Sequence, residues 1–258
     1  MSTYVVSDLH GEYGILERGL KEINFSSSDH LYCIGDAIDR GHEGIQILQE
    51  IKSRKNMELL LGNHEQMMLS SVDPNGKPEC NGEDSELWLN WNGGKATFGK
   101  YRALSDDKDR KELLFWLNRR ELIKTLEVSS ADGRQKYTLC HSYYIPEYDA
   151  LPYFKIPKKS SWDIVWRSIF RDDYETMAAD VYSEHTDRLF VTGHVPVQRI
   201  MYENDKDYDP KETIPQAYHW KNLINIDGGL AFQHNGIRNG AIFFRLEDQA
   251  EFFVEYKL

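Results

Sequence analysis

The sequence predicts an α/β protein, a sandwich of sheets flanked by helices with two insertions over one edge. Three observations predict it. Short apolar runs alternate with helical repeats through the first part of the chain. The runs recur at the length of a strand–helix–strand crossover, roughly 30 residues. The C-terminal part is again rich in short strands.

The elements follow in order. Residues 3–7 form a strand rich in β-branched residues, and Ile15, Leu16, Leu20 and Ile23 then repeat at helical spacing. A strand at 30–35, a helix at 45–51 and a strand at 57–61 come next. Asp8 to Asp36 is 28 residues and Asp36 to Asn63 is 27, so each strand ends one crossover after the last. Such a parallel half puts Asp8, Asp36 and Asn63 at the carboxyl ends of neighbouring strands, where open α/β sheets bind ligands. From about 71 to 121 the pattern turns helical and aromatic, with Trp88, Trp91, Phe98, Tyr101, Phe115 and Trp116 punctuated by Gly93-Gly94. Strands return at 122–128 and 136–140, and 143–187 is irregular to helical with many aromatics. Further strands fall at 188–192, 223–226, 241–246 and 251–256, and the acidic stretch 204–210 reads as a solvated loop. The layout is one domain over 1–258, with the insertions at about 71–121 and 143–187.

Composition excludes several functions. The chain has 258 residues, 40% hydrophobic and 28% charged, an ordinary globular balance. Its net charge of −11 repels nucleic-acid polymers and suits a protein that gathers cations. Cys33, Cys80 and Cys140 form no CxxC pair, which points to a reducing compartment. No apolar run approaches the ~20 residues of a membrane span, and the N-terminus lacks a signal-peptide pattern. A cytoplasmic protein with no membrane partner is expected, and the oligomeric state is left open.

Five segments carry chemistry: Asp8-Leu9-His10-Gly11, Gly35-Asp36-Ala37-Ile38-Asp39-Arg40-Gly41, Gly62-Asn63-His64-Glu65, Cys140-His141-Ser142 and Thr192-Gly193-His194. Each follows a strand and sets an oxygen or imidazole donor where a loop begins. Singly, such strings are turn and capping chemistry. Five in order, at crossover lengths, make a metal centre. Carboxylate, amide and imidazole donors suit manganese, iron, zinc or cobalt better than thiolate-seeking metals. One carboxylate can bridge two ions ~3.5–4 Å apart, the two-metal spacing of phosphoryl chemistry. Asp36, on the middle strand, is the natural bridge.

This order of motifs resembles that of the calcineurin-like metallophosphoesterases. DRG after GD and Glu after GNH point to their phosphoprotein phosphatase branch, including its small bacterial and phage serine/threonine phosphatases. Trp91-Asn92-Gly93-Gly94-Lys95-Ala96-Thr97 is similar to a stretch of small bacterial members. Asn225-Ile226-Asp227-Gly228-Gly229 followed by Gly240-Ala241-Ile242-Phe243-Phe244-Arg245-Leu246 is similar to their late element. The resemblance implies a four-layer αββα fold with metals at the strand ends. It implies Asp8, His10 and Asp36 on a first metal, and Asp36, Asn63, His141 and His194 on a second. A metal-bridging water would attack phosphorus, with His64, held by Asp39, as general acid and Arg40 on the phosphate. Two divalent or trivalent ions are implied, manganese first, with iron, zinc, cobalt or nickel as alternatives.

Departures from the pattern are informative. Leu61 stands where many members carry a phosphate-binding arginine. Arg167 is either a second clamp or a surface or core-edge arginine. Ser142-Tyr143-Tyr144 replaces small residues, so a bulkier pocket wall is expected, one in which tyrosines could stack on a base or grip a peptide. Glu12 reads as a solvated first-turn glutamate or an aid to His10. The expected activity is that of a serine/threonine phosphatase-like phosphomonoesterase acting on phosphorylated protein or a small phosphoester. A dinucleoside polyphosphate hydrolase is the alternative. A non-catalytic scaffold ranks last, because every ligand and His64 are present.

Overall fold

The computed structural model describes residues 1–131, 133–168, 170, 182–233 and 235–257. Sheet one has the order β10-β9-β1-β2-β3, with β1 (Thr3–Val6), β2 (His30–Ile34), β3 (Met57–Leu60), β9 (Gly240–Arg245) and β10 (Glu251–Glu255). Its three N-terminal strands are parallel, Val5 pairing with Tyr32 and Cys33 with Leu59. β9 returns antiparallel against β1, and β10 against β9. Sheet two runs β4-β5-β6-β8-β7. Its members are β4 (Ile123–Ser130), β5 (Gly133–Cys140), β6 (Leu189–Thr192), β7 (Tyr218–Trp220) and β8 (Leu223–Asn225). Only β7 falls outside the strands that the sequence predicts.

Period-two alternation decides which face each strand residue serves. Val5, Tyr32, Ile34, Leu60, Ile242 and Phe244 of sheet one meet Tyr137, Leu139, Val191 and Ile224 of sheet two in the inner core. Their neighbours Tyr4, Val6, Leu31, Cys33 and Leu59 face the other way, onto Ile15, Leu16, Ile47, Leu48 and Ile51. Those five lie on α1 (Tyr13–Glu22) and α2 (Gly44–Ser53). Both faces of the parallel strands are covered, so their sequences read as continuous apolar runs. Phe190, Leu223 and Cys140 extend the outer core on the far side of sheet two, with Ile164 and Val165 of α6 (Lys158–Trp166).

Five elements follow the strand ends or the turns beyond them. α3 (Asn63–Ser71) leaves β3 directly, with Glu65 completing a capping box at its N-terminus. A π-helical turn at Leu87–Trp91 precedes α4 (Gly94–Arg102) and α5 (Asp107–Leu117). Asp106 caps α5 by accepting the Asp109 amide at 2.8 Å. α7 (Val197–Asn204) follows the turn that carries His194. Residues 169 and 171–181 of the second insertion lie outside the described residues. Among the described residues no helix is long and apolar enough to cross a membrane.

Candidate metal centre

The carboxyl ends of β1, β2 and β3 lie side by side, as the crossover spacing predicts, with β2 in the middle. Asp8, His10, Asp36, Asn63, His64 and His141 are all buried there. Ten described non-glycine residues have positive φ, and six are residues singled out above: Asp8, His10, Asp36, Asp39, Arg40 and His194. L-residues tolerate that conformation only when surrounding structure enforces it, and it concentrates at functional sites. At Asp36 Glu65 is the enforcer. Its carboxylate accepts the amides of Asp36 and Gly62 on one oxygen, each at 2.9 Å, and those of Ala37 (2.9 Å) and Ile38 (3.3 Å) on the other. Burial, and then Asp36, push the Glu65 carboxyl up to about 7, while the amide bonds pull it down. Gly62 must be glycine, since a Cβ there would fall 2.2 Å from Asp36 Oδ1.

One set of donors converges closely. His141 Nε2 lies 3.0 Å from Asn63 Oδ1, 3.2 Å from His194 Nδ1 and 3.4 Å from Asp36 Oδ2. Asn63 Oδ1 is 3.1 Å from His194 Nδ1. Asp36, His141 and His194 offer ligand atoms within 4.8 Å of one another. The second set is composed differently from the expected one: His10, Asp36 and His64 gather within the same span. Asp8 sits at its margin, with Oδ1 3.9 Å from His10 Nε2. Its other oxygen takes the Ser7 hydroxyl and, at 3.0 Å, the His194 amide.

The chemistry of these donors fits metal ions. His10 Nδ1 faces the Ile38 carbonyl at 3.3 Å and His141 Nδ1 the Ile34 carbonyl at 3.0 Å. Each ring therefore turns Nε2 inward, the outer-shell arrangement that fixes the tautomer of metal-ligating histidines. Burial, and then Arg40, hold the His10 imidazole well below its ordinary value, so it offers a lone pair. Burial pushes the Asp8 carboxyl up to about 6, with His141 opposing and Asp36 reinforcing. Burial works against charge on His141, yet Asp36 outweighs it and raises the ring to about 10. Buried carboxylates at this density demand positive charge, and protons and cations compete to supply it.

His64 is set apart. Its Nδ1 donates to Asp39 Oδ2 at 2.7 Å, and its Nε2 faces Asp36 Oδ2 at 3.7 Å. Burial opposes its protonation, but Asp36 and the bond to Asp39 prevail and raise it. Arg40 is exposed beside these rings, and its charge bears on both His10 and His64. Arg167 follows α6, where its Nε meets Asp163 at 3.0 Å and its carbonyl accepts the Ser142 hydroxyl, one residue from His141.

One expectation needs correction. Tyr143 and Tyr144 build no pocket wall: both are buried in the outer core, ringed by Tyr182 and Phe190. The Tyr143 amide donates to the Ile164 carbonyl, which turns this segment inward. Leu61 is buried too, and its position carries no charge toward the site. Glu12 is the residue before α1, with Oε1 close enough to Gly41 to exclude a side chain there. The sequence reading gave no role to Trp88, Thr97 or Asp227. Trp88 Nε1 donates to Asp39 Oδ2 at 2.6 Å, and Thr97 Oγ1 accepts the Asp39 amide at 2.9 Å. Thr97 closes the Trp91–Thr97 stretch, whose Gly93 carbonyl also takes the Arg40 amide, so that stretch was the available signal. Asp227 is buried with its Oδ1 on the Gly229 amide, and its carbonyl anchors Val197 at the start of α7. Burial, and then Asp8, push its carboxyl well above the usual range.

Known proteins are similar to this chain in sequence or fold. The chain is 28% identical over 151 residues to the symmetrical bis(5'-nucleosyl)-tetraphosphatase of Erwinia tasmaniensis, covering 58% of this chain and 47% of that protein. It is 26% identical over 244 residues to the enzyme of the same name from Pasteurella multocida, covering 87% and 78%. The chain thus spans about half the length of the first of these relatives. A protein serine/threonine phosphatase from Saccharomyces cerevisiae shares the fold at a TM-score of 0.56 and 13% identity, over 100% of this chain and 80% of that one. Residues 1–238, which hold every donor described above, match the family model for calcineurin-like phosphoesterases, and the chain belongs to that family.

Proposed function

We propose that this chain is a two-metal phosphoesterase whose substrate is a dinucleoside polyphosphate. The observation that carries the hydrolase reading is Asp36: its carboxylate belongs to both donor groups, with His64, backed by Asp39, beside it. Asp8, His10 and Asp36 would hold one ion, and Asp36, Asn63, His141 and His194 the other. Such ions supply Lewis acidity at phosphorus and activate water, and this donor set accepts manganese, iron, zinc or cobalt. His64 would give the Nε2 proton to the departing oxygen, while Asp39 keeps the ring oriented through Nδ1. Arg40 would hold a non-bridging phosphate oxygen, with Arg167 as a second clamp.

Two observations support the dinucleotide over a phosphoprotein, the substrate that the sequence motifs first suggest. The relatives named above are tetraphosphatases. Trp162 and Trp166, both half-buried, stack at 4.8 Å, and Trp166 meets the His194 ring edge-on at 6.2 Å. An aromatic pair beside a ligand histidine is a surface on which a nucleobase can lie.

Metal-stripped protein refilled with manganese should turn over diadenosine tetraphosphate faster than a phosphothreonine peptide or p-nitrophenyl phosphate. Trp162→Ala should raise KM for the dinucleotide about tenfold, the worth of one base–aromatic stack, and leave p-nitrophenyl phosphate unchanged. Faster turnover of the peptide would return the protein to the phosphoprotein class. No turnover of any of the three would leave a scaffold.

A further inference from the structure

Trp88 lies on the π-helical turn, 49 residues beyond Asp39, and is fully buried. Its indole N–H and His64 Nδ1 converge on the same oxygen, Asp39 Oδ2, at 2.6 and 2.7 Å. Among the described residues the second oxygen, Oδ1, is buried with no hydrogen-bond partner. The hold that the described residues exert on this carboxylate is therefore through Oδ2 and through the main chain, where Thr97 takes the amide of a residue at φ 72°. Gly94 lets the indole in, since a Cβ there would stand 2.5 Å from Trp88 Nε1. Phe98 closes against the ring edge-on at 6.1 Å. A π turn is a local departure from α-helix that tends to mark function, and here it delivers this one N–H.

We propose that Trp88 is a positioning residue for the proton donor: its indole N–H pins Asp39 Oδ2 on the axis of His64 Nδ1, so that Nε2 is held toward the leaving oxygen. The inference rests on the reading of His64 as general acid. In the step it serves, a water oxygen bonds to phosphorus, the bond from phosphorus to the leaving oxygen breaks, and the Nε2 proton passes to that leaving oxygen. Asp39 Oδ2 takes both the indole N–H and His64 Nδ1, so the two donors fix the carboxylate between them. A fixed carboxylate aims the ring, whereas one freed to rotate toward its empty Oδ1 side lets it turn.

The test compares leaving groups in the manganese-reconstituted protein. p-Nitrophenolate departs without a proton, whereas an alkoxide needs one. Trp88→Phe keeps a ring and removes the N–H. It should lower kcat on an alkyl phosphate about tenfold, one charge-assisted hydrogen bond's worth, with p-nitrophenyl phosphate within twofold and metal content unchanged. An equal fall on both esters, or none on either, would overturn the role. His64→Asn is the control: if it keeps alkyl phosphate turnover, the acid assignment itself falls, whatever Trp88 does. Should Trp88→Phe fail to fold, the indole proton spectrum decides. The Trp88 resonance should stand downfield of the other tryptophans and move upfield in Asp39→Asn; no movement would overturn the proposal.

Discussion

The strand ends and the segment that folds over them reach one site by different means. At the ends of β1, β2 and β6 the backbone is bent into positive φ and the donors follow from their own turns. Across the cover, residues 87–117, no non-glycine residue has positive φ, and it acts through side-chain bonds from Trp88 and Thr97 and the Gly93 carbonyl on the Arg40 amide. A turn residue's role is written in its immediate neighbours, whereas a bond spanning 49 or 58 residues depends on how two separate elements pack. The strand ends should therefore respond to substitution as a unit and the cover contact by contact.

The largest effect is expected where both donor groups meet. Asp36→Asn removes a negative charge common to the two sets and should take metal content from two ions per chain to below one. Turnover should fall by at least about a thousandfold, since an interaction required throughout the reaction is lost with the ions. Metal analysis of the reconstituted variant checks this. Full occupancy would show that the two sets do not share Asp36, and would separate the two halves of the strand-end region.

Glu65→Gln sharpens the comparison from the side of stability. A carboxylate offers acceptor sites to all four amides that converge on it, whereas a glutamine turns an NH2 group toward two of them. Two buried amides left unpaired should cost about 3 kcal/mol, read as a lower urea midpoint at unchanged slope. A loss under about 1 kcal/mol would mean that the strained turns hold themselves.

How much of this was legible beforehand follows the same division. The sequence brings Asp8, His10, Asp36, Asn63, His64, His141 and His194 together because each follows a strand, and strand spacing is a one-dimensional property of the chain. Glu65 stood within its motif, yet its service to the Asp36 loop was hidden, since amides 27 to 29 residues away leave no mark on the sequence. The tyrosines after His141 misled for a related reason. Beyond the end of β5 there is no alternation to say which way a ring faces, and the bond from Tyr143 to Ile164 on α6 turned it inward. Trp162 and Trp166, four apart on α6, could have been paired from helical spacing alone.

The smallest effect is expected within the cover, and its sign is the informative part. Tyr101 on α4 is fully buried beneath Phe98, with a hydroxyl that has no hydrogen-bond partner among the described residues. Burial pushes that hydroxyl up to about 12. Replacing an unpaired buried group by hydrogen removes a desolvation cost, so Tyr101→Phe should be neutral or stabilising by up to about 1 kcal/mol near neutral pH. The contribution of the tyrosine is constant below its unfolded value of 10.0, and is lost as pH rises toward 12 because the unfolded chain ionises first. The variant should therefore lose stability less steeply over that window, as urea midpoints across it would report. A destabilised Tyr101→Phe would mean that the hydroxyl is paired after all, and that the cover is as fully bonded as the strand ends it protects.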